Sequence, residues 1–244
     1  MARKAQKART GKTQGNTQAK TAKAPPPRGT SDRDKAVDAL MTLLASHPFE
    51  EIGLAEVAGH AGLKLSALRA EFGSTLAIFG AHVKDIDRAV LDGGDADMAD
   101  EPARERLFDV LMRRIEALAP YKDAIRSMMR SARRNPGLAL ALNAMAVRSQ
   151  SWMLEAAGIG AHGPRGVLRA QGAALMFGRV LGVWVDEDEE DGLDATMAAL
   201  DRGLSSAARW SGFLDDLCAI PARLSRGSRR RRRARYEDED VEAA

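Results

Sequence analysis

Two cations and a hydroxyl are set on one face of a short stretch of this chain. Lys64, Ser66 and Arg69 interrupt a run in which Leu63, Leu68 and Phe72 recur at helical spacing. A helix over 64–72 therefore buries the apolar three and turns the polar three outward. Lys and Arg pair with phosphate, Lys also donates to guanine, and a serine hydroxyl reaches a base edge. Leu65 and Ala67 suit either contact with thymine methyls or packing. Just before this stretch, Leu54, Val57, Ala58 and Ala61 mark another short helix, and Gly62 supplies the tight turn between the two. This is the helix-turn-helix pattern, whose second helix can lie in the major groove of DNA. An ordinary helical hairpin in an all-α core fits the same periodicity.

Competing chemistry is hard to find. The sequence has no Gly-rich phosphate loop, G-x-S-x-G elbow, H-E-x-x-H or Cys/His nucleophile pair. Asp215 and Asp216 are neighbours on a short helix and point apart, which does not suit shared acid–base work. His47, His60, His82 and His162 are scattered without metal-ligand spacing. The acidic run at 186–194, DEDEEDGLD, lacks the ligand spacing and closing Glu of a calcium loop, and reads as solvated or as a docking point for the later Arg run. Cys218, the single cysteine, excludes an internal disulfide and reads as a small buried residue. The expectation is a protein that is not an enzyme, with no cofactor and no metal.

Nearly half of the 244 residues are hydrophobic, and Ala, Leu and Met outnumber β-branched and aromatic residues, a helix-favouring balance. The N-terminus has no apolar leader, and the most apolar long window, 167–185, contains Arg169, Gln171 and Arg179, a poor membrane span. A cytoplasmic, nucleoid-associated protein is expected. The net charge of +3 conceals a partition. Residues 1–30 hold eight Lys or Arg and no acid, and 223–244 hold eight Arg with five acids, which leaves 31–222 at about −8. The stretch 31–78 has four basic residues (Arg33, Lys35, Lys64, Arg69) against seven acids. Because phosphate neutralisation supplies much of DNA affinity, the two basic tails are expected to add attraction that the head lacks.

The elements that position these residues follow from periodicity. Residues 1–30, ending in Pro25–Pro27, lack apolar periodicity and read as a disordered arm, either solubilising or DNA-tracking. Ser31 or Asp32 caps a first helix over 34–45, with Val37, Leu40, Met41 and Leu44 on its buried stripe. A fourth helix runs over 76–91, and 93–102 is a polar break. Further helices follow over 103–118, 120–134, 135–157, 164–185, 195–210 and 211–220. In the 164–185 helix, Ala174, Gly178 and Gly182 recur every four residues and leave a shallow groove for close helix approach, within the chain or across a dimer. After 221 an Arg-rich then acidic tail ends the chain, either solvated or touching nucleic acid.

The stretch from Ser31 to Phe79 resembles the DNA-binding domain of the TetR family of regulators. The matching parts are the first helix, Pro48-Phe49, Val57-Ala58-Gly59-His60-Ala61-Gly62-Leu63, the helix ending at Phe72, and Gly73-Ser74-Thr75 opening the fourth helix. Gly53 stands where that family usually has Ser or Thr, Arg69 where it has a phosphate-binding Tyr, and Thr75 where it has a phosphate-binding Lys. The resemblance implies an all-α, TetR-like fold with a head at 31–78 and a ligand-binding, dimerising body at 79–220. It implies a homodimer on double-stranded DNA, contacted through Lys64, Leu65, Ser66, Ala67, Arg69 and Ser74. It also implies a small hydrophobic effector. Met112, Met128, Met129, Met145, Trp152, Met176 and Phe177 either line its pocket or are simply core, and Ala174, Gly178 and Gly182 are the expected dimer contact.

The body, over roughly 107–204, is also similar to a second family with this fold, the isoprenoid-lipid-binding accessory proteins of ubiquinone biosynthesis, which do not read DNA. Its marks are Arg114-Ile115-Glu116-Ala117-Leu118-Ala119-Pro120-Tyr121-Lys122-Asp123-Ala124-Ile125-Arg126, Trp152 before an Ala-Gly turn, and Trp184 followed by acids. A lipid-binding accessory protein is the alternative reading.

Overall fold

The computed structural model describes residues 31–94, 98, 100–188 and 192–206. The expected arm 1–30, the 211–220 helix with Asp215, Asp216 and Cys218, and the Arg-rich tail lie outside the described residues.

Among those described there is helix and no strand. Ser31 caps α1 (Asp32–Ser46) by accepting from the Asp34 N–H, with Asp32 and Asp34 in the positive first turn. His47-Pro48 ends it, and a 3₁₀ turn, Phe49–Glu51, leads to α2 (Leu54–His60) and α3 (Leu65–Glu71). The turn between them closes as a Schellman motif, with Leu63 N–H donating to Ala58 C=O at 2.8 Å and Gly62 N–H to Gly59 C=O at 3.2 Å. Gly62 has φ +66°, the left-handed conformation that this motif requires.

Ser74 caps α4 (Thr75–Asp92), which leads to α5 (Ala103–Leu118), a 3₁₀ turn at Ala119–Tyr121 and α6 (Lys122–Arg134). Asn135 accepts from the Leu138 N–H to open α7 (Pro136–Ala156), and Pro136 occupies the favoured first turn. A glycine turn then leads to α8 (Gly163–Asp186), and residues 194–206 form α9.

The core runs without a break from Val37, Leu40 and Leu68 of the head to Leu111, Met153 and Trp184 of the body. The expected head–body boundary at 78 therefore falls inside α4, and the polar break at 93–102 separates α4 from α5. α6 lies along α1, and α7 pairs with α8, where Asn143 and Gln171 exchange hydrogen bonds at 3.1 and 3.0 Å.

Candidate nucleic-acid interface

The helix-turn-helix presents α3 to solvent by burying one side of it. Leu68 and Phe72 are buried, while Lys64, Leu65, Ser66 and Arg69 are exposed and Ala67 is half-buried. Leu65 is 53% exposed, a large apolar side chain on an otherwise polar surface. Ser74 is also exposed, and its Oγ accepts the Ala77 N–H at 3.1 Å, so the start of α4 faces the same solvent as its cap. The six residues expected to contact DNA thus fall at α3 and the adjoining start of α4.

Charge on this head is distributed unevenly. Arg33 is held by Asp85 of α4 through two hydrogen bonds, at 2.8 and 3.1 Å, and also meets Asp34. The Asp85 hydrogen bonds push its guanidinium above the usual range, against the effect of burial. Lys35 pairs with Asp32 at 3.1 Å. Among the described residues 31–78, these two cations are engaged by carboxylates, whereas Lys64 and Arg69 carry no ion pair. Of the two cations not engaged, Arg69 is on α3 and Lys64 immediately precedes it.

Of the three departures from the TetR pattern, Arg69 is exposed on α3, and the other two lie at helix starts. Gly53 caps α2 with backbone only, so the start of α2 has no side-chain hydroxyl. Thr75 turns inward, its hydroxyl donating to the Ile52 carbonyl at 3.5 Å. It tethers the start of α4 to the α1–α2 connection.

The body places the remaining expected residues differently. Met128, Met176 and Phe177 are buried, and Met112, Met129 and Met145 are half-buried against the same core. Trp152 is 57% exposed and faces solvent. A cleft of about 770 Å³ opens between α1 and the start of α6, lined by Asp38, Thr42, Lys122, Asp123 and Arg126 among others, and none of the seven expected pocket residues lines it. Of the small-residue stripe on α8, Ala174 is buried, a Cβ on Gly182 would lie 3.9 Å from Met129 Cε of α6, and Gly178 is exposed. The exposed apolar surface of α7 and α8 instead carries Leu140, Trp152, Val167, Leu168 and Leu175.

Two polar clusters join the head to the body and were not read from the sequence. Ser127 of α6 donates to the His47 carbonyl at 2.9 Å. Ser131, one turn later, accepts from the Phe49 N–H at 3.1 Å and donates to Glu50 at 2.7 Å. Deeper in the body, Arg114 of α5 and Ser149 of α7 both donate to Asp87 of α4. The readable sign was a carboxylate, Asp87, falling among Val83, Ile86 and Val90 on the apolar side of α4.

No protein-family model matches the chain, and no curated protein matches it. Solved structures do. Over 72% of its length the chain aligns with 97% of the TetR transcriptional regulator from Nitrosomonas europaea ATCC 19718, with a TM-score of 0.57 and 24% sequence identity. The fold is that of the TetR regulators. A TetR transcriptional regulator from Rhodococcus sp. RHA1 aligns over 71% of this chain and 96% of its own, with a TM-score of 0.49 and 22% identity. No helix among the described residues is long and apolar enough to cross a membrane.

Proposed function

We propose that this chain is a homodimeric, sequence-specific DNA-binding regulator that responds to a small, mainly hydrophobic effector. The observation that carries the reading is the exposed face of α3, which holds the head's two unengaged cations beside Ser66 and Leu65. In this reading α3 enters the major groove, and a dimer sets two such helices one helical turn of DNA apart, or a multiple of it, on a near-palindrome. Arg69 pairs with phosphate, Lys64 with phosphate or guanine, and Ser66 with a base edge. Leu65 and Ala67 meet thymine methyls. Ser74 and the start of α4 offer N–H groups to a phosphate. The exposed apolar side chains of α7 and α8 form the subunit contact, with Gly178 allowing close approach.

Selection of fragmented genomic DNA by the full chain at physiological salt tests this. The expected result is a few sites sharing an inverted repeat. Arg69→Ala weakens binding to them and lowers the log–log salt slope by about one unit. Uniform recovery of all fragments, or an unchanged slope, overturns the assigned docking. In that event the exposed Trp152 favours the lipid-binding reading, in which Trp152→Ala abolishes uptake of an isoprenoid lipid and Arg69→Ala leaves it intact.

A further inference from the structure

Arg114 sits where four helices of the body meet. It belongs to α5 and is 6% exposed. Its Nη1 donates to Asp87 of α4, and Ser149 of α7 donates to the same carboxylate oxygen at 2.7 Å. The guanidinium carbon lies 5.7 Å from the ring centroid of Phe177 on α8. The Nε–H has no hydrogen-bond partner. Gln150, next along α7 from Ser149, is 2% exposed, and its Oε1 also has no partner. A buried donor left unsatisfied is unfavourable, and natural interiors rarely retain one without a reason.

We propose that Arg114 is the polar anchor of the effector site, and that the effector is an uncharged, mainly apolar molecule bearing a carbonyl oxygen that accepts from Arg114 Nε. The inference rests on the regulator reading above. The chemistry excludes a charged acid. Asp87 already neutralises the guanidinium, so a second carboxylate would bury an excess negative charge. A neutral carbonyl satisfies the orphan donor and leaves the ion pair intact.

Room for the apolar part comes from methionines set against glycines. Met145, one turn before Ser149 on α7, lies 3.3 Å from where a Cβ on Gly80 of α4 would stand. Met176, beside Phe177 on α8, packs against Gly203 of α9. Each is a flexible side chain that meets a glycine on one side, and its unbranched thioether can change rotamer to admit a ligand. Because Asp87 belongs to α4, whose other end is Ser74 at the candidate DNA surface, a molecule that engages Arg114 acts on the helix that carries the head.

The test uses the full chain without DNA, in equilibrium dialysis against benzophenone and diphenylmethane, which differ by a carbonyl in place of a methylene. Benzophenone is expected to bind about tenfold tighter, the scale of one hydrogen bond to a charged group. Negatively charged diphenylacetate is expected to bind more weakly than either. In the double variant Arg114→Met/Asp87→Leu, which replaces the ion pair by apolar side chains, the preference for the ketone disappears. Arg114→Lys, which keeps a cation beside Asp87 and removes the Nε donor, reduces it in the same direction and serves if the double variant does not fold. Equal affinity for the matched pair in the unaltered chain overturns the proposal. So does absence of binding by both, or a preference that survives in the variants. The dialysis contains no DNA, so such a failure leaves the genomic selection result standing, and failure of that selection leaves the dialysis result standing.

Discussion

Glu187 is a single residue that ties two helices together. Its backbone closes α8, with the Lys122 ammonium donating to the Glu187 carbonyl and Arg126 to that of Val185. Its side chain opens α9, accepting the N–H groups of Ala195 at 2.7 Å and Thr196 at 3.1 Å, together with the Thr196 hydroxyl. Burial pushes this carboxyl up, but the Thr196 hydroxyl, the two N–H groups and the Lys122 charge outweigh it and leave it below the ordinary carboxylate range. A folded-state value below the unfolded one means that the stabilisation is complete above the unfolded value and is lost as pH falls through the folded one. Glu187→Gln is therefore expected to cost about 1 kcal/mol at neutral pH, the usual worth of a helix cap, and to make the acid limb of stability shallower. Urea unfolding of both chains at a series of pH values from neutral into the acid range checks it. The sequence shows this residue inside a run of acids, which reads as a solvated loop. What distinguishes it is the return of the chain eight residues later, and periodicity carries no information on that return. The face of α3 was legible for the opposite reason, since Leu68 and Phe72, one turn apart, fix which side is inward by local spacing.

At the scale of elements, the α1–α6 contact is a seam between head and body, and its polar part includes two serines. Ser127 and Ser131 are both buried, and between them they satisfy the carbonyl of His47, the N–H of Phe49 and the carboxylate of Glu50. The Ser131 hydroxyl holds the Glu50 carboxyl below its ordinary range, helped by its own backbone N–H and by Arg134, with desolvation opposing. Ser131→Ala leaves the Phe49 N–H without its acceptor and is expected to destabilise the fold by about 1–2 kcal/mol, with Ser127→Ala costing a similar amount. In Ser131→Ala the contribution of Glu50, present at neutral pH and lost on acidification, is expected to shrink as well, since its largest cause is removed. Chemical denaturation of the single and double variants measures the cost, and a negligible loss in the double variant refutes the seam. A helix over 120–134 opened by Pro120 was legible, and Pro120 falls in the 3₁₀ turn just before α6. Its attachment to the head was not, because serines on an apolar face give no indication of which distant carbonyl they meet.

At the scale of the whole molecule, the order of the helices among the described residues followed from the sequence, since caps at Ser31 and Asn135, breaks at His47-Pro48 and the glycine turn after α7 all act locally. Assembly is a different matter. The small-residue stripe on α8 pointed to close approach, yet Ala174 is inside the chain's own core and Gly182 faces α6, so helical spacing alone did not separate an internal neighbour from an external one. The same ambiguity held for the methionines, which serve as core or pocket with equal ease. Leu168 and Leu175 are both more than half exposed on α8, an arrangement that costs a monomer contact with water. Leu168→Glu/Leu175→Glu is expected to convert a dimer to a monomer in sedimentation velocity, to leave the helical circular dichroism unchanged, and to abolish selection of inverted repeats. A full chain that sediments as a monomer at tens of micromolar refutes the subunit contact.

α4 is an uninterrupted rod that crosses from one part of the molecule to the other. From Asp87 to Thr75 it extends about 18 Å at the usual rise per residue. A tilt of about 10° pivoting on the Asp87 ion pair carries the Ser74 end through about 3 Å, comparable to the spacing of successive base pairs. In the dimeric regulator proposed above, two subunits tilting in opposite senses would double the displacement across the pair. A rearrangement of one hydrogen bond beside Asp87 would thereby be geared into a mismatch of register on the proposed DNA site, without any helix having to melt.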